Sequence, residues 1–411
     1  MRTSDGPLPL EGVRVLDLTH IIAGPFCAAI LADYGAEVIK VEPPGRGDRA
    51  RTTNPFIERD GARVSSFFYA LNRNRRSVAL NLKAPWGRRA FLELVAVGDV
   101  LLENFSPGTL EKLGLGYEEL RRVNPSLVHV AISGYGQLPP YLGPYASWQA
   151  NNATAQAMSG LMELTGEPEG PPVLVGATIG DTIPGLWAAL STLVALEHRR
   201  RTGRGQFVDV AMYDALAAMC FKALTDYHVT GVAPTRGREG WHTTFTTRLR
   251  CRDGYIAVSM WGIEGRRWER LWQRIGREEV SSHPDFDATQ PGSPRSFPLV
   301  KRVLEEWLAG VDRWEAVRTL LEMGFSAGAV QNAEEVYHCP HLAARQLFME
   351  VEDGIGGTLR TPGTPARFSG FTPPPPRRAP HLGEHTEQVL TELLGYGAAE
   401  VARVRQEGED S

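Results

Sequence analysis

A single carboxylate stands between a glycine-rich apolar run and a run of helical spacing in VGATIGDTIPGLWAAL, residues 175–190. That residue, Asp181, has two readings. As a helix N-cap its side chain accepts backbone N–H groups of the helix that follows, with Pro184 tolerated in the first turn. As a nucleophile it attacks an acyl carbon and forms a covalent intermediate. The roles are compatible, because the dipole of a helix N-terminus favours the ionised carboxylate. The local pattern alone leans toward the cap.

Other stretches carry weaker chemistry. ENFSPG, 103–108, ends a strand in polar residues, with Pro107 suited to a first helical position. Its backbone N–H groups suit an anion, or simply a capped turn. HCPH, 338–341, has three potential metal ligands but no second pair at zinc-site distance, so it reads as a helix start after Pro340. EHRRRTGRGQ, 197–206, reads as a solvated helix end, where cations are favoured. DLTHIIAGPF, 17–26, occupies the place of a dinucleotide fingerprint but does not match it. Glu42 is therefore expected to be a surface residue at a strand end rather than a nicotinamide-binding acid.

The elements that must position these residues follow from periodicity. VRVLDL (13–18) reads as a buried strand and EVIKVE (37–42) as another. Between them Phe26, Ile30 and Leu31 fall on one helical face before Gly35. Strand, helix, strand in about thirty residues is a βαβ unit, hence a parallel sheet. RRSVALNL, VLLEN and LVHVAISGYG supply further strands, and WGRRAFLELVAVGD an amphipathic helix. The expected fold is a doubly wound, Rossmann-like α/β large domain over residues 1–225, whose ligands lie beyond the carboxyl ends of the strands. A change of texture predicts a smaller α+β domain over 226–335. Residues 336–411 are expected to return to the large domain through a hairpin, the polyproline strap FTPPPPRRAP (371–380) and a capped final helix.

Composition narrows the class. A chain of 411 residues exceeds what one hydrophobic core usually serves. A net charge of −4 argues against a nucleic-acid partner. The four cysteines are far apart and form no paired motif, which suits a reducing cytoplasm. No leader is evident at the start, and no apolar run reads as long enough to span a bilayer, so no membrane partner is expected.

The ordered segments LEGVRVLDLTHIIAGPFCAAILADYGAEVIKVEPPGRGD, LNRNRRSVALNLK, ENFSPGTLEKLGLGYEEL, QAMSGLMELTG, GDTIPGLWAALSTLVALEHRRRTGRGQFVDVAMYDAL and HLGEHTEQVLTELLG resemble the family III CoA-transferases, the CaiB/BaiF family. Within it the chain resembles formyl-CoA transferase and the succinyl-CoA-dependent dicarboxylate CoA-transferases, the latter more nearly in LNRNRRS and SGYGQ. The resemblance implies an interlocked homodimer and a reaction between an acyl-CoA and a free carboxylic acid. No tightly bound cofactor is implied; the coenzyme A thioester is a substrate. Asp181 takes the place of the family nucleophile, which passes through an aspartyl mixed anhydride and an aspartyl-CoA thioester. The family's CoA-binding positions fall on Ile22, Ala23, Asn81, Lys83, Asn104, Phe105, Ser106, Lys112, Ser133, Gly134, Tyr135 and Gly136. Lys83 and Lys112 suit phosphates, and Tyr135 the thioester end.

Departures shape the expected substrate. Formyl-CoA transferase has glutamine in place of Ile22 and arginine in place of Pro43. The family's glycine loop is replaced by TRGREGWHTTF, where Arg236, Arg238 or His242 could meet a second carboxylate. A dicarboxylate acceptor is therefore expected. Two rivals share the fold: a 2-methylacyl-CoA racemase and a CoA-binding protein without turnover. The racemase acid–base pair falls on Asn151 and Asn152, neither of which titrates.

Overall fold

A computed structural model describes residues 6–237, 244–261 and 265–409. The chain divides into two compact units. The larger comprises the described residues through Thr165, Pro172–Ala233 and those from Ala344 onward; the smaller comprises Gly166–Pro171 and Pro234–Ala343.

The larger unit is built on strands β1 (Arg14–Asp17), β2 (Glu37–Glu42), β5 (Arg75–Ala79), β6 (Val100–Glu103), β7 (Val128–Ser133) and β8 (Gln206–Ala211). They form one parallel sheet in the order β5-β2-β1-β6-β7-β8. A side hairpin, β3 (Phe56–Arg59) with β4 (Ala62–Ser65), turns on Asp60 and Gly61, both at positive φ. Asp-Gly is the pair that such a turn favours.

Helices fill the crossovers, namely α1 (Ala23–Asp33), α2 (Ser66–Leu71), α3 (Pro85–Ala96), α4 (Thr109–Lys112), α5 (Tyr117–Val123), α6 (Asn152–Met158) and α7 (Ile179–Thr202), and α8 (Met212–Met219) and α9 (Phe221–Thr230) follow the last strand. The expected βαβ alternation is present, and the fold is mixed α/β on a parallel sheet. The direction of strand addition reverses between β1 and β6, which makes the crevice beyond their carboxyl ends the switch point of the sheet.

One core packs α1 and α7 on one face of the sheet, with Val15, Val38, Val100, Val128 and Val130. The other packs α3 and the C-terminal helices on the opposite face, with Leu16, Ile39, Val78 and Leu101. Most of α1 is buried, Leu31 included, while Phe26 and Ile30 on the same face are half-buried. The reason is that α1 lies between the sheet and α7 rather than on the surface.

Helix α7 corrects a second expectation: among the described residues it is long and apolar enough, by length and composition, to cross a membrane. Its run was masked by Thr, Ser and Gly, which lower hydropathy little. It packs on α1 and α8 and carries three arginines in its last turn.

The smaller unit has an antiparallel sheet of β9 (Thr244–Cys251), β10 (Gly254–Trp261) and β11 (Ser326–Ala329). Helices α10 (Gly265–Arg274), α11 (Ser296–Leu308) and α12 (Arg313–Glu322) enclose Trp268, Trp272, Phe245 and Leu304. Two short helices, α13 (Ala333–Tyr337) and α14 (Pro340–Ala344), lead back to the larger unit. The helix expected after Pro340 begins at Pro340 itself, within HCPH.

The returning segment contains the hairpin of β12 (Phe348–Glu352) and β13 (Thr358–Pro362), then α15 (Thr386–Leu394) and α16 (Ala398–Glu409). The polyproline strap is fixed to the start of β5 by a pair of hydrogen bonds between Arg377 and Asn74, at 2.7 and 3.1 Å.

Candidate active site

Asp181 is the third residue of α7, and the N-cap is Thr178, without a side-chain cap bond. The expectation that Asp181 caps the helix is thus corrected. The helix begins three residues earlier than its apolar face suggests, because Gly180 packs inward. A Cβ on Gly180 would lie 2.6 Å from the Asn152 carbonyl. Asn152 Oδ1 accepts the Gly180 N–H at 2.8 Å and the Gln156 amide at 2.9 Å. Pro184 accordingly lies in the second turn, where its missing N–H leaves the Gly180 carbonyl without the usual helical donor.

The Asp181 carboxylate is partly buried, and among the described residues no side chain is shown bonded to it. Burial pushes its pKa up to about 6. A carboxylate with no cation to neutralise it keeps its electron pairs available, yet it remains mostly ionised at neutral pH.

The shift has a thermodynamic sign. The folded state binds the Asp181 proton more tightly than the unfolded state, so this residue costs stability as pH rises from 3.8 through 6. Asp181→Asn should therefore melt above the wild type at pH 7, with the difference vanishing below about pH 4. Thermal melts of both proteins across that range check this.

The residues matched to CoA contacts lie along the carboxyl edge of the sheet. Ile22 and Ala23 follow β1, Asn81 and Lys83 follow β5, Asn104–Ser106 follow β6, and Ser133–Gly136 close β7. Between β5 and β7 the edge spans four strand spacings, roughly 19 Å. Lys83 and Lys112 are exposed and Ser106 projects to solvent, while Ile22, Ser133, Tyr135 and Gly136 are buried.

Some of these side chains have internal duties. Asn81 donates to the Glu407 carbonyl on α16 at 3.1 Å. Ser133 Oγ accepts the Gly136 N–H at 3.0 Å. Asn104 brackets His20, accepting its N–H at 2.8 Å and donating to its carbonyl at 2.9 Å. The Tyr135 ring stands among Tyr145, Trp148 and Tyr213 at 5.8–6.1 Å.

Asp181 is tied to this edge from two sides. Gly185, one turn further along the same face of α7, packs against Ala23; a Cβ there would lie 2.5 Å from the Ala23 carbonyl. On the other side Ala150 packs on Gly134, and two residues later Asn152 packs on Gly180. Of the cationic loop, Arg236 lies in the smaller unit, and Arg238 and His242 lie outside the described residues.

Several groups at the edge were not expected from the sequence. Glu103, at the end of β6, accepts the Phe105 N–H at 2.7 Å and the Gln137 amide at 3.1 Å. Burial raises its carboxyl to about 7 despite these bonds. Asp209 on β8 accepts the Gln137 and Leu138 N–H groups at 2.7 and 2.9 Å. Glu103 and Asp209 pair with opposite edges of Ala131 in the sheet, so the Gln137 turn is clamped over a small residue by two carboxylates. A small cavity beside Glu103 is lined by Phe105, Ser106, His129, Gln137 and Phe207.

Beneath the first turn, Asp17, Lys40, Asp48 and Arg75 form a buried cluster. Glu42 belongs beside it and is buried, not a surface residue. It takes a two-point contact from Arg51 and bonds from Ser77 and the Asp48 N–H. Burial would raise its carboxyl, but Arg51, Lys40 and Ser77 hold it below the ordinary range. Charges inside strand runs, as in EVIKVE, were the available signal.

Comparison with known proteins agrees with this architecture. The profile of CoA-transferase family III matches residues 10–386. The chain is 36% identical over 406 residues to the succinyl-CoA:mesaconate CoA-transferase of Haloarcula marismortui, covering 98% of this chain and 99% of that protein. It is 34% identical over 410 residues to the succinyl-CoA–D-citramalate CoA-transferase of Chloroflexus aurantiacus, covering 98% and 99%. It is 33% identical over 423 residues to the formyl-CoA:oxalate CoA-transferase of Rhodopseudomonas palustris, covering 97% and 96%. The crystal structure of a CaiB/BaiF family protein from Brucella suis superposes with a TM-score of 0.85 at 32% identity, covering 94% of this chain and all of that one. The chain thus belongs to CoA-transferase family III and is a CoA-transferase.

Proposed function

We propose that this enzyme moves CoA from a succinyl-CoA-like donor to a free dicarboxylic acid, with Asp181 as the nucleophile. The observation that carries the reading is Asp181 itself, an unneutralised carboxylate at the α7 N-terminus, one turn from the Ala23 contact.

The Asp181 carboxylate attacks the donor carbonyl; the C–S bond breaks, CoA thiolate leaves, and a mixed anhydride forms. The thiolate attacks the Asp181 carbonyl and expels the donor carboxylate, leaving an aspartyl-CoA thioester. The acceptor carboxylate attacks that thioester and displaces CoA thiolate again. The thiolate then takes the acceptor acyl group and frees Asp181. The net exchange replaces one thioester by another and is nearly thermoneutral, so the protein need only lower barriers, and dividing the transfer does this. The steps are nucleophilic acyl exchanges that the carboxylate and thiolate carry out themselves, so we propose no resident cofactor.

Ile22, Ala23, Phe105, Ser106 and the Ser133–Gly136 turn are proposed to line the thioester and pantetheine. Lys83 and Lys112 are the proposed phosphate partners, and Asn81 supports the turn that presents Lys83. The dicarboxylate preference is supported by the names of the succinyl-CoA-using relatives. Incubating the protein with succinyl-CoA and a panel of free acids, and reading acyl-CoA masses, tests the substrate class. Dicarboxylates should give new thioesters at least about tenfold faster than monocarboxylates of equal length, the scale of leaving one hydrogen-bonding group of the site unsatisfied. Equal rates would remove the dicarboxylate assignment.

The active form is proposed to be an interlocked homodimer in the cytoplasm. An apolar stripe of Leu186, Leu190, Leu193 and Val194 on α7 faces outward, and Phe221 on α9 is 71% exposed. Such patches mark protein contacts. Threaded chains cannot part without unfolding. Light scattering across a hundredfold dilution should therefore show a constant dimer mass, and folded monomer appearing on dilution would refute threading.

A further inference from the structure

The turn between β1 and α1 is held in a backbone conformation that its sequence resists. Ile21 has φ 69°, in the left-handed region. A β-branched residue there is an outlier, since its Cβ crowds the following carbonyl. Such strain persists only where the surroundings over-determine it.

Here they do. Asp17 Oδ1 accepts the Thr19 N–H at 2.9 Å, and Lys40 Nζ donates to the Thr19 carbonyl at 2.7 Å. Asn104 grips both the N–H and the carbonyl of His20. Asp48 Oδ1 accepts the Ile21 N–H at 3.1 Å. Asp17, Lys40 and Asp48 are fully buried. Three separate segments, β2, the loop after it and the turn after β6, thus converge on three consecutive residues. The turn they fix lies at the switch point of the sheet and runs into Ala23, which packs on the helix of Asp181.

We propose that Asn104 and Asp48 are positioning residues that hold Ile21 left-handed, and that this strained turn sets Ile22 and Ala23 to receive the CoA thioester. The inference rests on the CoA-transfer reading above. On this view Asn104 acts on CoA through His20 rather than by its own contact, because both ends of its amide already grip the turn.

The test uses rescue. Asn104→Ala releases His20, lets Ile21 relax, and should raise KM for succinyl-CoA about tenfold with a smaller change in kcat, the scale of a small misplacement. Asn104→Asp keeps an acceptor for the His20 N–H, loses the donor to its carbonyl, and should fall between. Ile21→Gly takes the left-handed turn without steric cost and should melt above the wild type. The double variant Asn104→Ala with Ile21→Gly should then recover most of the lost affinity. A double variant no better than Asn104→Ala overturns the proposal, because a direct contact of Asn104 with CoA cannot be restored from Ile21. A wild type that does not turn over succinyl-CoA overturns the proposed donor, an outcome distinct from failure of the rescue.

Discussion

Asp181→Ala should lose exchange between acyl-CoA and free acid by roughly 10⁴-fold or more, the scale of a deleted covalent nucleophile. The variant should fold, because it removes a carboxylate whose burial is unfavourable and to which no side chain is shown bonded. Two readouts separate loss of the nucleophile from loss of binding. Acyl-CoA should still bind the variant, since the groups proposed to hold it lie on other loops. Hydroxylamine added during turnover should mark Asp181 in the wild type alone, seen as a mass shift on its peptide. A well-folded variant that kept a tenth of the exchange rate would end the assignment. The pH profile adds a second check. The nucleophile must be ionised, so kcat/KM should rise with pH through about 6 and fall away on the acid side.

Lys40→Met should be the most destabilising single substitution outside the apolar core. Lys40 is fully buried, with Nζ 3.0 Å from Asp48, 3.8 Å from Asp17 and 2.7 Å from the Thr19 carbonyl. Asp17 would keep Arg75 at 2.7 Å, but the buried Asp48 would lose the cation that most strongly holds its carboxyl below the usual range. Removing one partner of a buried pair costs about 3–5 kcal/mol, because the remaining charge stays desolvated. The urea midpoint of unfolding should drop accordingly. Adding Asp48→Leu should return part of the loss, since two apolar groups leave no orphan charge. A midpoint for Lys40→Met within error of the wild type would show that water reaches Asp48. A pH dependence belongs to the same pair. The depressed pKa of Asp48 stabilises the fold above its ordinary value of 3.8 and is lost as pH falls below it, and Lys40→Met should weaken that dependence.

The βαβ frame was legible because strand and helix periods differ and glycines separate them. The reading of Val13–Leu18, Glu37–Glu42 and the helix after Asp181 needed nothing but local pattern. What pattern does not carry is the meeting of charges from distant segments. Lys40 and Asp17 looked like ordinary strand residues, and Glu42 like a strand end in water. Their burial depends on Asp48, Arg51 and Arg75, which arrive from elsewhere in the chain. The start of α7 was misplaced for a similar reason. Thr178–Gly180 read as the end of the glycine-rich apolar run rather than as helix, and the contact that draws Gly180 inward comes from Asn152. The candidate site was legible mainly as a family resemblance. Its internal supports, Glu103, Asp209 and the grip of Asn104 on His20, appear only in three dimensions.

The way the chain returns upon itself has a consequence for its synthesis. Val389, Leu390, Tyr396, Val401 and Val404 complete the core that also holds Leu16, Ile39, Val78 and Phe91. The His385 N–H bonds the Ser77 carbonyl at 2.9 Å, and Thr386 Oγ1 accepts the Ala79 N–H at 3.0 Å. The open edge of β5 is thus sealed by residues made more than 300 positions later. On the ribosome the first strands emerge with this edge bare and one apolar face of the sheet uncovered, while the intervening unit, which has its own core, can close first. Until the final two helices leave the exit tunnel, the nascent chain presents an unsatisfied strand edge and a wet apolar face, a natural client for a holding chaperone.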